Sequence, residues 1–173
     1  TAYLLTQTVL VQEQALKAQP DDWETLGDVV NLAVLVGEPE TARPLLRRLA
    51  AEAGAITGKV PGERAAMEYS ALVNLAALDL SVRDLEGALS GYTAAIAIAQ
   101  AEQAQAPSSR QWTRAILIAR LGLVDIHRSR WQLQPAREEV DLVLNELAPL
   151  RTAEPTDPEL RWLQARALEQ SGN

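Results

Sequence analysis

The chain has no cysteine and no phenylalanine, one histidine, one methionine and two lysines among 173 residues. Without cysteine there is neither a disulfide framework nor a thiolate metal site, and thiol catalysis is excluded. The lone histidine, His127, gives a Ser-His-Asp triad a single residue to stand on, and no second His or Cys exists to share a zinc ion with it. Every long apolar stretch is interrupted by Asp, Arg, Asn or Glu before it reaches the roughly 18 residues a membrane-spanning helix needs. A phosphate-cradling loop is missing too, because Gly54-Ala55-Ile56-Thr57-Gly58-Lys59 lacks the spacing and the preceding strand of a P-loop. Ser81, Ser108, Ser109 and Ser129 fall near helix ends, where hydroxyls cap or face water. The acidic pairs Asp21-Asp22 and Glu138-Glu139 fall in first helical turns, where negative charge offsets the helix dipole. These absences predict a non-enzymatic protein with no metal and no cofactor.

A net charge of −7 argues against nucleic-acid binding, which relies on neutralising phosphates. The distribution is uneven. Residues 107–131 hold five arginines and one aspartate, between two segments that are each net acidic. Of the 16 basic residues 14 are arginine, which favours planar, bidentate contacts with carboxylates, either inside the fold or on a ligand.

What the chain does have is helix. Alternating strand patterns bounded by turn residues are missing, and 47% hydrophobic residues suffice for a core, so an all-α fold is expected. Three copies of one frame stand out. Gly37-Glu38-Pro39-Glu40-Thr41-Ala42 leads to Leu46 and Leu49, Arg83-Asp84-Leu85-Glu86-Gly87-Ala88 to Tyr92 and Ala95, and Trp131-Gln132-Leu133-Gln134-Pro135-Ala136 to Val140 and Val143. An alanine, a larger apolar residue four on and another three further share one helix face. Upstream of each frame lies a helix with a small residue at its centre, in Leu26-Gly27, Leu75-Ala76 and Leu121-Gly122, where a second helix can approach closely.

Trp23-Glu24-Thr25-Leu26-Gly27, together with Ala88, Tyr92 and Ala95, resembles the tetratricopeptide (TPR) repeat family. The family period is about 34 residues, whereas the alanines here recur after 46 and 48 positions, so the helices or their connections are longer than the family norm. The resemblance implies one right-handed α-solenoid of antiparallel helix hairpins over 1–173, with about eight helices: a leading helix at 3–18, hairpins at 22–53, 61–105 and 108–150, and a trailing helix at 157–171. Pro107-Ser108-Ser109 is read as the cap of the helix that follows, and Pro44 as a kink or a displaced helix start. The chain begins at Thr1 without Met and stops where a further helix would begin, so it is expected to belong to a longer protein.

In the TPR family the concave face, formed mainly by the first helix of each hairpin, holds a partner. Aligning Gly27, Ala76, Gly122 and Ala165 places Glu24, Asp28 and Asn31 on the first groove helix, Ser70, Asn74 and Ala77 on the second, Ile116, Arg120, Leu123, His127 and Arg130 on the third, and Trp162 and Arg166 on the last. The Lys and Asn clamp by which some TPR domains hold a terminal carboxylate is not reproduced, since Lys17 and Lys59 lie off these helices; Arg120 and Arg130 are its chemical substitutes. Trp23 and Trp131 are assigned to packing between hairpins, while Trp112 and Trp162 are either core or exposed anchors. The expected function is a cytoplasmic, non-enzymatic scaffold binding a partner helix or peptide, without nucleic acid or membrane insertion. The alternatives are a structural segment that self-associates through its open ends, an assembly factor or chaperone adaptor, and a small-ligand sensor or enzyme with a pocket between helices.

Overall fold

Prolines and aspartates set four of the six helix starts in the computed structural model, which describes residues 39–53 and 61–172, together with residue 14. The helices are α1 (Pro39–Glu52), α2 (Pro61–Ser81), α3 (Leu85–Gln105), α4 (Arg110–Ser129), α5 (Leu133–Ala153) and α6 (Pro158–Ser171), and no strand occurs among the described residues. Three of the six open on proline, whose missing N–H costs nothing in a first turn. Asp84 caps α3 by accepting from Gly87 N–H at 3.0 Å, and Asp157 caps α6 by accepting from the N–H groups of Glu159 and Leu160. Ser109 stands at the N-cap of α4, but its side chain makes no capping hydrogen bond, so the predicted serine cap is not formed. Pro44 does not displace the start of α1, which runs from Pro39 through it. The predicted helix at 3–18, apart from residue 14, the predicted hairpin at 22–53 up to residue 38, and residues 54–60 between that hairpin and the next lie outside the described residues.

The turns α2–α3 and α4–α5 close with the same bonds. After α2, Arg83 N–H donates to Leu80 O and Asp84 N–H to Asp79 O; after α4, Trp131 N–H donates to Arg128 O and Gln132 N–H to His127 O. This is the Schellman arrangement, in which one residue turns left-handed to satisfy the last carbonyls of the helix. Arg83 (φ 66°) and Trp131 (φ 59°) hold that position, as Gly172 (φ 80°) does after α6. Glycine is favoured there because any Cβ crowds the following carbonyl, at a cost of about 1–2 kcal/mol. The turn also throws its left-handed residue outward. Trp131 is 86% exposed, which overturns its assignment to packing between hairpins.

Consecutive helices pack antiparallel. Gly62 at the start of α2 lies beside Glu102 near the end of α3, and Asp79 near the end of α2 lies beside Gly87 near the start of α3. Alternate helices touch as well, α2 with α4 and α4 with α6, and run parallel: Tyr69 reaches Ala115, Arg114 reaches Glu159 and Arg166 reaches Asp125. Helix α4 is therefore enclosed by α2, α3, α5 and α6.

The frame alanines Ala42, Ala88 and Ala136 are all buried. Where α2 meets α3 the contact is built from small residues: a Cβ on Gly91 would lie 2.9 Å from Ala76 Cβ and 3.2 Å from Leu72 O. Where α3 meets α4, Tyr92 lies flat on Gly122, since a Cβ there would fall 2.3 Å from its Cζ. The α4–α5–α6 junction uses volume instead, burying Leu117, Leu121, Val143, Leu147, Leu160 and Leu163 together, each side chain contributing about 1.5–3 kcal/mol. Trp112 is core: it meets Tyr69 edge to face with ring centroids 6.1 Å apart, and Tyr69 Oη donates to Ala115 O at 2.6 Å. Burial pushes the Tyr69 hydroxyl well above its ordinary range, so it stays a donor.

Candidate docking groove

The arginines of the basic segment are mostly consumed inside the fold. Arg110 and Arg114 both pair with Glu154, and Arg114 also lies 2.7 Å from Asp157 and 3.0 Å from Glu159. Arg120 holds Glu139 of α5 at 2.8 Å. Arg130 reaches Glu86 at 2.7 Å and the Leu85 carbonyl at 3.2 Å, tying the end of α4 to the start of α3. The Leu160 N–H, the Arg114 charge and the Glu159 N–H together hold the Asp157 carboxyl below its ordinary range. The same logic joins α1 to the α2–α3 turn, where Arg43 Nε donates to the buried Asp79 at 2.7 Å and Nη2 to Asp84 at 2.9 Å. Gly87 leaves room for both carboxylates, since a Cβ there would fall 2.7 Å from Asp79 Oδ2 and 2.9 Å from Asp84 Oδ2.

Arg128 is the exception in that segment. It donates to the Gln170 carbonyl at 3.2 Å and has no carboxylate partner among the described residues. It opens into a groove of about 1020 Å³ formed by the C-terminal ends of α2 and α4 and by α6 from Trp162 to Gln170. Leu80, Ser81 and Arg83 line one side, Asp125, Arg128 and Ser129 the floor, and Trp162, Ala165, Arg166, Glu169 and Gln170 the other side. Arg166 stands over the Trp162 ring at 5.3 Å from its centroid and pairs with Asp125 at 2.8 Å, while Gln170 Nε2 donates to the same aspartate at 2.6 Å. A smaller hollow of about 330 Å³ lies toward the other ends of the same three helices, with Ser70, Trp112, Arg114 and Glu159 in its wall.

The sequence-predicted site residues distribute unevenly. Glu24, Asp28 and Asn31 lie outside the described residues. Trp162 and Arg166 line the large groove, and Ser70 the small hollow. Asn74 and Ala77 share the helical stripe of Ser70 and Ser81, between the two depressions. On α4 the placement differs. Ile116 and Leu123 are buried, Arg120 and Arg130 are bound to glutamates of α5 and α3, and His127 Nδ1 lies 2.9 Å from Gln132 Oε1 in the turn. All but Arg130, which lies in the turn beyond α4, sit roughly 120–180° around the helix from the stripe of Gln111, Ile118, Asp125 and Ser129 that faces the depressions.

The turns explain the difference. Superposing Arg83, Trp131 and Gly172 makes Leu80, Arg128 and Glu169 equivalent, and likewise Ser81, Ser129 and Gln170; all six line the groove. Aligning Gly122 with Ala76 slips α4 by two residues, which turns it by roughly 200°. Its true counterpart is Val124, and Gly122 is small for another reason, to seat Tyr92. The residues missed by the small-residue alignment, Arg83, Asp125, Arg128 and Glu169, carry one sequence signal: Arg83 stands in the frame where the first copy has Gly37.

Among the described residues no helix is long and apolar enough to cross a membrane, and no group of His, Cys, Asp or Glu is arranged to hold a metal ion. No protein-family model, curated protein or solved structure matches this chain, so its residues and their geometry carry the functional reading.

Proposed function

We propose that this chain is a non-enzymatic interaction scaffold, a TPR-like right-handed solenoid of helix hairpins whose α2–α4–α6 face receives a segment of a partner protein. The observation that carries the reading is the groove itself. One helix from each of three successive hairpin positions contributes equivalent residues to it, and its lining includes Trp162 together with Arg83 and Arg128, which meet no carboxylate among the described residues. Repetition among the described residues supports the solenoid: the Schellman turn follows both α2 and α4, a buried alanine opens α1, α3 and α5, and the alternate-helix contact of α2 with α4 recurs between α4 and α6. Trp162, half exposed in the groove wall, is the type of residue that anchors protein interfaces.

A photo-crosslinking residue tests this directly when placed in the full chain at Ala165, within the groove, or at Leu142, exposed on α5. The scaffold reading expects a discrete protein adduct from source-cell extract at position 165, absent at 142 and lost with Trp162→Ala. Equal labelling at the two sites, or none, overturns it. Self-association is the second reading, favoured by the exposure of Trp131 at 86% and Leu133 at 56% beside one turn. Its signature is an adduct of twice the chain mass and a sedimentation coefficient that rises with concentration.

A further inference from the structure

Of the arginines that meet carboxylates, Arg43, Arg110, Arg114, Arg120, Arg130 and Arg166 bind glutamates or aspartates of neighbouring elements. The two that open on the large groove from its α2 and α4 sides, Arg83 and Arg128, are exposed and meet no carboxylate among the described residues. Among the described residues Arg83 is also one of two non-glycine residues in the left-handed region, at a turn position where glycine relieves strain. A cation near a helix C-terminus gains from the dipole, yet that gain is available to an arginine in the last helical turn without left-handed strain, as Arg128 shows. Beside these charges Trp162 offers a half-exposed ring, and Leu80 and Ala165 supply apolar wall. The remaining charge is Glu169, exposed on α6; Asp125 is already held by Arg166 and Gln170.

Resting on the scaffold reading, we infer that the occupant of this groove is an acidic protein segment, which sets its carboxylates against Arg83 and Arg128 and an apolar side chain against Trp162. Guanidinium groups that meet no carboxylate among the described residues match those of a ligand in charge and in planar, two-donor geometry. The same match sets the selectivity, because a basic segment would meet two like charges on entry. Glu169 marks the edge of the carboxylate subsite and opposes acid placed next to it.

The test uses the full chain and three short fluorescent peptides of one length: alternating Asp and Leu, the same peptide with Asn for Asp, and the same with Lys for Asp. Anisotropy titrations are expected to show the acidic probe binding at least about tenfold more tightly than its amide counterpart, with affinity falling as salt rises. Arg83→Gln and Arg128→Gln each weaken the acidic probe by about tenfold, Glu169→Gln tightens it, and Arg137→Gln, exposed on α5, leaves it unchanged. Arg83→Gly separates binding from folding, since it raises the melting temperature by relieving the left-handed turn while weakening the probe; a residue kept only for structure would not divide the two readouts. Amide or lysine peptides that bind as well as the acidic one in a Trp162→Ala-sensitive manner sink the acidic-segment inference and leave the scaffold reading standing. Binding of the acidic probe that ignores both arginine substitutions, or no binding by any probe, also overturns the inference, and the Ala165 crosslink then decides the scaffold reading separately.

Discussion

Replacing Gly122 with alanine probes how closely α3 and α4 meet. The added Cβ would fall 2.3 Å from Tyr92 Cζ and 2.5 and 2.6 Å from two further ring atoms, where ordinary contact begins near 3.4 Å. The ring would have to retreat by about 1.1 Å, the difference between 3.4 and 2.3 Å. It has little room, because Tyr92 is 5% exposed and packed among Ala76, Ala88, Ala95, Ala119, Leu123 and Ile126. Overpacking of this kind costs about 1–3 kcal/mol, and a displacement this large on a rigid ring belongs at the upper end. Alanine returns about 1 kcal/mol through helix propensity, leaving a net loss of about 2 kcal/mol. With a urea slope of about 1–3 kcal/mol/M, the unfolding midpoint drops by roughly 1 M at unchanged slope. Adding Tyr92→Leu to Gly122→Ala removes the clash, so the double variant loses less than the sum of the two single losses. A Gly122→Ala protein as stable as wild type, or more stable by the propensity gain, would refute the close approach of the two helices.

Three other outcomes follow from the same geometry. Trp131→Gly is expected to stabilise the fold by about 0.5–1 kcal/mol, the left-handed strain relieved less the backbone entropy that glycine adds to the unfolded chain; a loss in denaturant stability would show that the indole contributes packing despite its exposure. Arg43→Met should destabilise more than the double variant Arg43→Met/Asp79→Leu, because the single change strands a carboxylate that is 3% exposed, and equal melting temperatures for single and double would falsify that account. Asp157→Ala is expected to lower the melting temperature at neutral pH. Since folding holds the Asp157 pKa below its ordinary 3.8, the carboxylate's contribution is complete above that value and is lost as pH falls through the folded one. The wild-type advantage in melts from pH 7 downward should therefore shrink in acid, and an advantage that grows there would reverse the assigned sign.

Helix positions were legible because they depend on neighbours in the chain. Pro61 and Pro158 start helices, Asp84 caps one, and the predicted bounds 61–105 and 157–171 differ by a few residues from Pro61–Ser81, Leu85–Gln105 and Pro158–Ser171. The burial of Ala42, Ala88 and Ala136 was likewise readable from spacing. Rotation about the helix axis was not. Gly122 and Ala76 look alike as small residues, yet Ala76 accommodates the backbone approach at Gly91 and Gly122 seats a tyrosine ring, and only the α3 neighbour distinguishes them. The turn frame, with Gly37 aligned to Arg83 and Trp131, already held the correct register.

By itself the sequence determined the helical character of the described residues, the placement of the turns between their helices and an arginine-rich stretch set between acidic ones, because these follow from local backbone preference and composition. The tertiary structure decided which charges are spent and which remain. Arg110, Arg114, Arg120 and Arg130 meet carboxylates 19–45 residues away in the chain, and Arg128, from the same basic segment, meets none among the described residues. Whether a guanidinium is buried in an ion pair or turned toward a groove depends on the angular register of packed helices, where a shift of two residues reverses the face that a side chain presents.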